Sequence, residues 1–469
     1  MDATGPGSSY DFGTAGARRI AADFRAAHVT SDAGVLLLKQ IEEKRGWIGA
    51  LAACAIDRRN PELIEHSVEE LLRQRILGIA LGYEDLNDHD WLRLDPLLAA
   101  ACGKEDPAGE TRERPGDRGK ALAGKSTLNR MELGAQEVHR YKKIVFDEAG
   151  VERLPVEQFI RRHAANPPAE ITLDIDATDD PIHGGQEGKF FHGYYDGYCY
   201  LPLYVFCGSE LLCAKLRTAD RDGACGALDE IKRIAGRIRE AWPEVKIIVR
   251  GDSGFCRDEL MAWCESQPNT FYVLGLARNA RLQQLVAMEM DSARVWSRLT
   301  GRPCRCYREM RYRTLDSWSA LRRVVAKAEV TGDKDNPRFV VTNLAMEDHP
   351  TAVLYEETYC GRGDMENRIK EQQLCLFADR TSAATFRANQ LRLWFSAMAY
   401  GLLNDLRELG LQGTALAKAQ CSTIRLRLLK IGATVTFSVR RIVVSMAQSF
   451  PFQDVFDACH ARLALLSSA

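Results

Sequence analysis

The chain is short of net charge, of histidine and of cysteine-pair spacing, and each shortage removes a class of function. Its 469 residues carry a formal net charge of -1, so no overall basic excess points to a nucleic-acid partner and only local patches could serve one. Its fourteen cysteines contain no Cys-x-x-Cys. The closest pair, Cys304 and Cys306, has no matching second pair, and Cys207, Cys213 and Cys264 stand singly in apolar surroundings. Free thiols in a reducing compartment fit this better than disulfides or a zinc site. No apolar run approaches the roughly 20 residues of a membrane span. The first residues, MDATGPGSSYDFGTAGARRIAADF, lack a charged segment followed by an apolar one. A soluble, cytoplasmic protein without membrane contact is the expectation.

What is present is ordinary globular composition, 46% hydrophobic and 27% charged, in a chain longer than one core usually fills. Residues 31–45, 61–83, 90–101, 126–148 and 156–165 have helical patterning, with a polar loop at 103–119. Asn166-Pro167-Pro168 marks a boundary, and everything before it reads as all-helical. Strand alternation begins at Ile171. Residues 198–207 and 211–218 predict a hairpin around Gly208-Ser209, followed by an amphipathic helix at 224–242, a strand ending near Gly251, a short helix at 258–266 and a strand at 271–277. Between 279 and 354 the rhythm breaks into β-like pieces rich in turns and basic charge, which reads as an insert and not as another layer of the sheet. Residues 384–409 are strongly apolar. A basic tail follows, ending in an amphipathic stretch at 452–466. The expected divisions are 1–166, 167–278, 279–354, 355–410 and 411–469.

Three acids stand out. Asp252 follows the apolar run Val245 to Val249 at the tip of a strand, in GDSGF, where ligands of α/β sheets gather. In ITLDIDAT, alternation puts Ile171, Leu173 and Ile175 on one face and Thr172, Asp174 and Asp176 on the other. Asp176 is nearest the strand end, while Asp174, Asp179 and Asp180 remain competitors. Tyr359, Arg362 and Glu366 recur at helical spacing, so Arg362 and Glu366 are neighbours on one face. If a right-handed crossover sets the Val245 strand parallel to and beside the Ile171 strand, Asp176 faces Asp252. Carboxylates without histidine or cysteine make a hard, oxygen-rich site suited to Mg²⁺ or Mn²⁺. Two such ions can hold attacking and leaving oxygens about 4 Å apart for phosphoryl displacement.

Other signals have blander readings. Gly119, Gly124, Lys125 and Ser126 fit GxxxxGK[ST], but the preceding Arg114-Pro115-Gly116-Asp117-Arg118 is no buried strand, so Ser126 reads as a helix cap and no nucleotide is expected. His183 and His192 flank a Gly-rich turn, where a hairpin-loop role is simpler than metal ligation. Trp296 and Trp318 are able to stack on an extruded base, with core packing as the simpler role. Two basic stretches suit phosphate. One holds Arg298, Arg302, Arg305, Arg308, Arg311, Arg313, Arg322, Arg323 and Lys327, and the other Lys418, Arg425, Arg427, Lys430, Arg440 and Arg441.

Asp176-Ala177-Thr178, GDSGF at Asp252 and Tyr359-x2-Arg362-x3-Glu366 together resemble the acidic motifs of DDE transposases from bacterial insertion sequences. DRRNPELIEHS at Asp57, ALGYEDLNDHDWLRLDP at Ala80, GKSTLNRMEL at Gly124 and HGYYDGYCYLPLY at His192 extend the resemblance over most of the chain. It implies an α/β ribonuclease H-like catalytic core, a mixed five-stranded sheet with helices, interrupted by a β-rich insert. An all-α N-terminal DNA-binding region and a helical C-terminal region would flank that core. It implies metal-dependent cleavage at element ends and transfer of the freed 3′-hydroxyl to target DNA. By it, Asp176, Asp252 and Glu366 are the catalytic acids and hold two Mg²⁺ or Mn²⁺ ions, and Tyr359 and Arg362 grip phosphate. Arg311, Arg313 and Trp296 join them as DNA-binding candidates, and a homodimer pairs two double-stranded DNA ends. The family's lysine seven residues after the glutamate is Gln373 here, and Lys370, one turn after Glu366, is the candidate to replace it. A related nuclease that cuts without joining, or a non-catalytic DNA-binding descendant, are the rival readings.

Overall fold

The alternation of ITLDIDA sends Ile171, Leu173 and Ile175 into the core and makes strand β1, Glu170–Ala177, of a computed structural model that describes residues 9–24, 26, 28–133, 141–332 and 334–466. Strands β2 (Leu203–Cys207) and β3 (Glu210–Lys215) form the expected hairpin, turning at Gly208, whose φ of 59° suits glycine. The apolar stretch from Tyr198 is not one strand. Pro202 interrupts it, and Gly197–Tyr200 pairs instead with Asp180–Pro181 and Phe190–His192 in a separate small sheet. Helix α1 (Ala227–Ala241) then leads to β4 (Lys246–Gly251), which lies parallel to β1 with Arg250 opposite Asp174. Helix α2 (Asp258–Ser266) leads to β5 (Thr270–Leu276), parallel to β4. The order β3-β2-β1-β4-β5, with the β1-β2 and β2-β3 pairings antiparallel and β4 and β5 parallel to β1, is the mixed five-stranded arrangement expected of a ribonuclease H-like core.

The segment from 279 to 354 corrects one expectation. It begins with two helices, Ala280–Leu285 and α3 (Ala287–Thr300), and supplies β6 (Cys304–Tyr312), β7 (Arg322–Thr331) and β8 (Arg338–Thr342). Strand β8 pairs antiparallel with β5, Leu274 opposite Val341, and the short strand Lys334–Asp335 pairs with β7, so the segment extends the core sheet to nine strands and does not stand apart from it. The physical reason is the open edge that β5 would otherwise present. Along β8, Phe339 and Val341 enter one apolar cluster and Val340 another, as a strand covered on both faces requires.

The N-terminal region is not all-α, which is a second correction. Tyr10–Ala15 pairs with Arg18–Ala22, Ala55–Asp57 with Ile144–Phe146, and Val29–Thr30 with Ala433–Ser438. The C-terminal region is likewise helical only in part, because Ala433–Ser438 and Arg441–Met446 form a hairpin ahead of the helix Gln453–Leu465. Three of these strands have only two or three residues, too short to show a period, and two of the pairings join segments far apart in the chain. Around the buried helix α5 (Phe386–Asp405) one apolar cluster gathers side chains from Ala33 to Leu463. Among the described residues no helix is long and apolar enough to cross a membrane.

Glu132 lies fully buried where these parts meet, accepting from Arg75 and, at 3.0 Å, from Arg392 of α5. Glu132→Ala strands two guanidiniums and is expected to lower stability by about 3–5 kcal/mol. Thermal unfolding of the whole chain measures this, and Glu132→Gln should lose less.

Candidate active site

Three distant segments meet at the carboxyl ends of β1 and β4. Asp176 is the seventh residue of β1, and Asp252 caps a short 3₁₀ turn directly after β4, its Oδ1 accepting from the Gly254 N–H at 2.8 Å. Glu366 lies on α4 (Gly363–Lys370). The helical path into α4 is irregular: a π-helical turn, Leu354–Tyr359, tightens to a 3₁₀ turn, Cys360–Arg362, before becoming regular. Such changes of pitch recur at functional sites.

Arg362 joins the acids. Its guanidinium donates to Asp176 Oδ2 at 3.1 Å and to Glu366 Oε1 at 2.5 Å. Burial works against its charge, yet Asp176, Glu366, Tyr359 and Asp252 outweigh burial and hold its pKa above the usual range. Burial also pushes the Asp176 carboxyl up to about 6, with Asp252 and Glu366 adding to the rise and Arg362 opposing it. Asp252 thus lies within electrostatic reach of both. Tyr359, its ring tilted against that of Tyr355 at 5.6 Å, is half-buried beside them.

The supporting residues explain why the chain converges here. Asp174, the competitor one pleat away, is buried and held by Arg250 at 2.5 and 2.7 Å, so it belongs to the frame. Arg250 also donates to the Thr358 carbonyl, tying β4 to the turn that carries Tyr359. Gly275 of β5 admits this approach: a Cβ there would stand 2.6 Å from the Tyr359 hydroxyl and 2.9 Å from the Ser253 nitrogen. Sequence reasoning singled out neither Arg250 nor Gly275, although an arginine and a glycine inside apolar strand runs are visible signals.

Gln373 faces inward. Its amide donates to the Asp179 carbonyl at 3.1 Å and to Asp180 Oδ1 at 3.0 Å, fastening the turn after β1 to the glutamate helix. Lys370 is exposed and makes no ion pair among the described residues. Asp180 is fully buried, and Asp180 Oδ2 and the Tyr204 hydroxyl have no hydrogen-bond partner among the described residues.

The remaining candidates separate into surface and frame. Arg311 and Arg313 are exposed, and Trp296 is exposed while Trp318 is buried against Tyr312 and Arg322. Much of the first basic stretch is paired within the chain: the buried Arg322 binds Asp258 and Glu265 and the buried Arg323 binds Glu309, while Arg305 and Arg308 pair at the surface with Glu356 and Glu289. In the second, Arg425 caps the helix Val68–Leu81 through the Ala80 carbonyl and Lys430 binds Asp32. His192 lies in the small sheet with its ring against Tyr195, and His183 is exposed. Gly124, not Ser126, is the cap residue of Lys125–Glu132; a 3₁₀ turn stands where a phosphate loop needs a strand, and Lys125 donates to Asn87.

Three carboxylates with no nitrogen or sulfur ligand suit a hard dication in kind. Their disposition differs, since Arg362 already bridges two of them and no group of three such side chains among the described residues is set to hold one ion. A cation entering here displaces a cation.

Burial pushes the Asp180 pKa up to about 8, with Gln373 opposing. The unfolded chain releases this proton in the ordinary carboxylate range. The contribution of Asp180 to stability is therefore greatest below that range and falls as pH rises to about 8. Asp180→Asn keeps the Gln373 contact and removes the slope. It should melt a few degrees above the parent near pH 9 and no higher near pH 4, as scanning calorimetry at both values will show.

Residues 12–468 match the family model described as Transposase DDE domain group 1. No curated protein matches the chain.

Proposed function

The chain belongs to the transposase DDE domain group 1 family, and from that premise we propose that it cleaves insertion-sequence ends and joins the freed 3′-hydroxyl to target DNA. The observation that carries this reading is the convergence of Asp176, Asp252 and Glu366, from two strand ends and a late helix, around the single guanidinium of Arg362. On this reading Asp176, Asp252 and Glu366 are the catalytic acids and would hold two Mg²⁺ or Mn²⁺ ions. When bound, those ions supply positive charge to the attacking and leaving oxygens.

The chain's own residues do the rest. Arg362 keeps Asp176 and Glu366 from repelling one another in the free protein. On arrival of DNA its planar fork turns to the phosphate next to the scissile bond, and the two carboxylates are released for metal. Tyr359, set over Gly275, offers its hydroxyl to the same phosphate. Arg250 and Gln373 hold the two strand exits against the glutamate helix while this exchange takes place. The exposed Lys370, Arg311, Arg313 and Trp296 contact the DNA, and the region through residue 166 contributes to holding the element end.

The test is a strand-transfer assay with element-end DNA, Mg²⁺ or Mn²⁺ and a target plasmid. Asp252→Asn and Glu366→Gln should each lower cleavage and joining at least about a hundredfold. Cleavage without joined products would identify a nuclease, and binding without any chemistry would leave a DNA-binding module. Displacement of Arg362 has its own signature. Arg362→Gln should bind Mn²⁺ several-fold more tightly than the parent without DNA, by calorimetric titration, and yet cleave more slowly. Weaker Mn²⁺ binding in the variant would show that Arg362 does not compete with metal.

A further inference from the structure

In the N-terminal region a cleft of about 330 Å³ opens, large enough for a small ligand. Four segments line it. The pairing of Ala55–Asp57 with Ile144–Phe146 brings the residues that flank these strands together, so that the Arg58 N–H donates to the Lys143 carbonyl at 2.9 Å. Arg59 and Leu63 thereby share the lining with Tyr141 and Lys143. Arg114, ahead of a 3₁₀ turn, and Arg130, on the helix Lys125–Glu132, come from the other two segments. None of the four carries Asp176, Asp252 or Glu366.

The charges in this lining do not balance. Arg59 is held by Asp57 at 2.7 Å, and Glu65, the one carboxylate of the lining, is held by Arg112 at 3.1 Å. Arg114, Arg130 and Lys143 make no ion pair among the described residues. Burial, and then Lys104, Arg112 and Arg59, hold the His66 imidazole of the same lining down to about 3, so positive potential is felt inside the cleft. In a chain of net charge -1, three unanswered cations around one cleft call for an anion. A carboxylate is planar and suits one guanidinium at a time, whereas the tetrahedral oxygens of a phosphate reach cations on separate segments. The lining is also not wholly polar: beside the cations Leu63 is 77% and Tyr141 64% exposed. Phosphate alone has no use for an exposed ring and an exposed isobutyl group. A nucleotide carries phosphate and a flat base in one unit.

We propose that this cleft holds one nucleotide unit, its phosphate on Arg114, Arg130 and Lys143 and its base against Tyr141 and Leu63. A strand of DNA and a free nucleotide present the same chemistry. The strand as occupant rests on the reading of the chain as an enzyme that acts on DNA.

Fluorescence anisotropy of a labelled, short single-stranded oligonucleotide titrated with the full chain tests it, with EDTA present so that no metal enters the carboxylate site. Arg114→Glu and Arg130→Glu should each weaken binding at least about tenfold and flatten its salt dependence by about one phosphate contact. Melting temperature should not change, because both side chains are exposed. Lys232→Glu, the same change of charge at an exposed position of α1, should do neither. Tyr141→Ala should weaken binding several-fold at an unchanged salt dependence. Displacement of the oligonucleotide by millimolar dAMP identifies a free nucleotide as the occupant, and indifference to dAMP identifies the strand. A parent that does not bind at roughly 100 µM, binding indifferent to both reversals, or an equal loss in Lys232→Glu overturns the proposal. Loss on both reversals with none in Tyr141→Ala overturns the nucleotide and leaves a bare phosphate site. A chain that binds as stated yet neither cleaves nor joins element ends refutes the catalytic reading and leaves the cleft standing.

Discussion

Negative charges crowd at the end of β1 and β4, and a guanidinium keeps the crowd together. Without Arg362, Asp176 and Glu366 would face one another beside Asp252 in a half-buried cleft, where repulsion is weakly screened. Burial raises the Asp176 pKa first, and the neighbouring carboxylates add to that rise. A site built this way is stable only while some cation is in it, and which cation is present is the variable that chemistry can use.

The scaffold meets this demand with polar ties on either side of Arg362. The parallel register of β1 and β4 sets Asp174 opposite Arg250, and the resulting pair is buried. Arg250 then reaches the turn carrying Tyr359, and Gln373 reaches back to the exit of β1. Two polar ties therefore join the sheet to the irregular helix from opposite sides of Glu366. Arg362 stands between them, on the 3₁₀ turn.

Local pattern made the centre of this arrangement legible in the sequence. The alternation around Asp176, the strand stop at Asp252 and the three-four spacing of Arg362 and Glu366 are short-range signals, and the right-handed crossover joins the first two. What escaped was long-range. Val29–Thr30 becomes a strand only because Ala433–Ser438 lies beside it, and β8 continues the sheet because β5 has an open edge. Charge counts misled for a related reason. Arg322, Arg323 and Arg425 look like phosphate ligands in one dimension, yet each is consumed by a carboxylate or carbonyl that folding brings from elsewhere. Asp32, at the start of the first helical stretch, is a buried partner of Tyr83 and Lys430.

Gly275 gives the site a dependence that its acids do not reveal. The room for Tyr359 and for the turn after Asp252 is made by a missing side chain on the neighbouring strand. Two chains with identical acidic motifs can thus differ in whether those motifs meet. A chain counted as intact by its Asp, Asp and Glu can therefore fail to bring them together because of a single methyl group on the neighbouring strand.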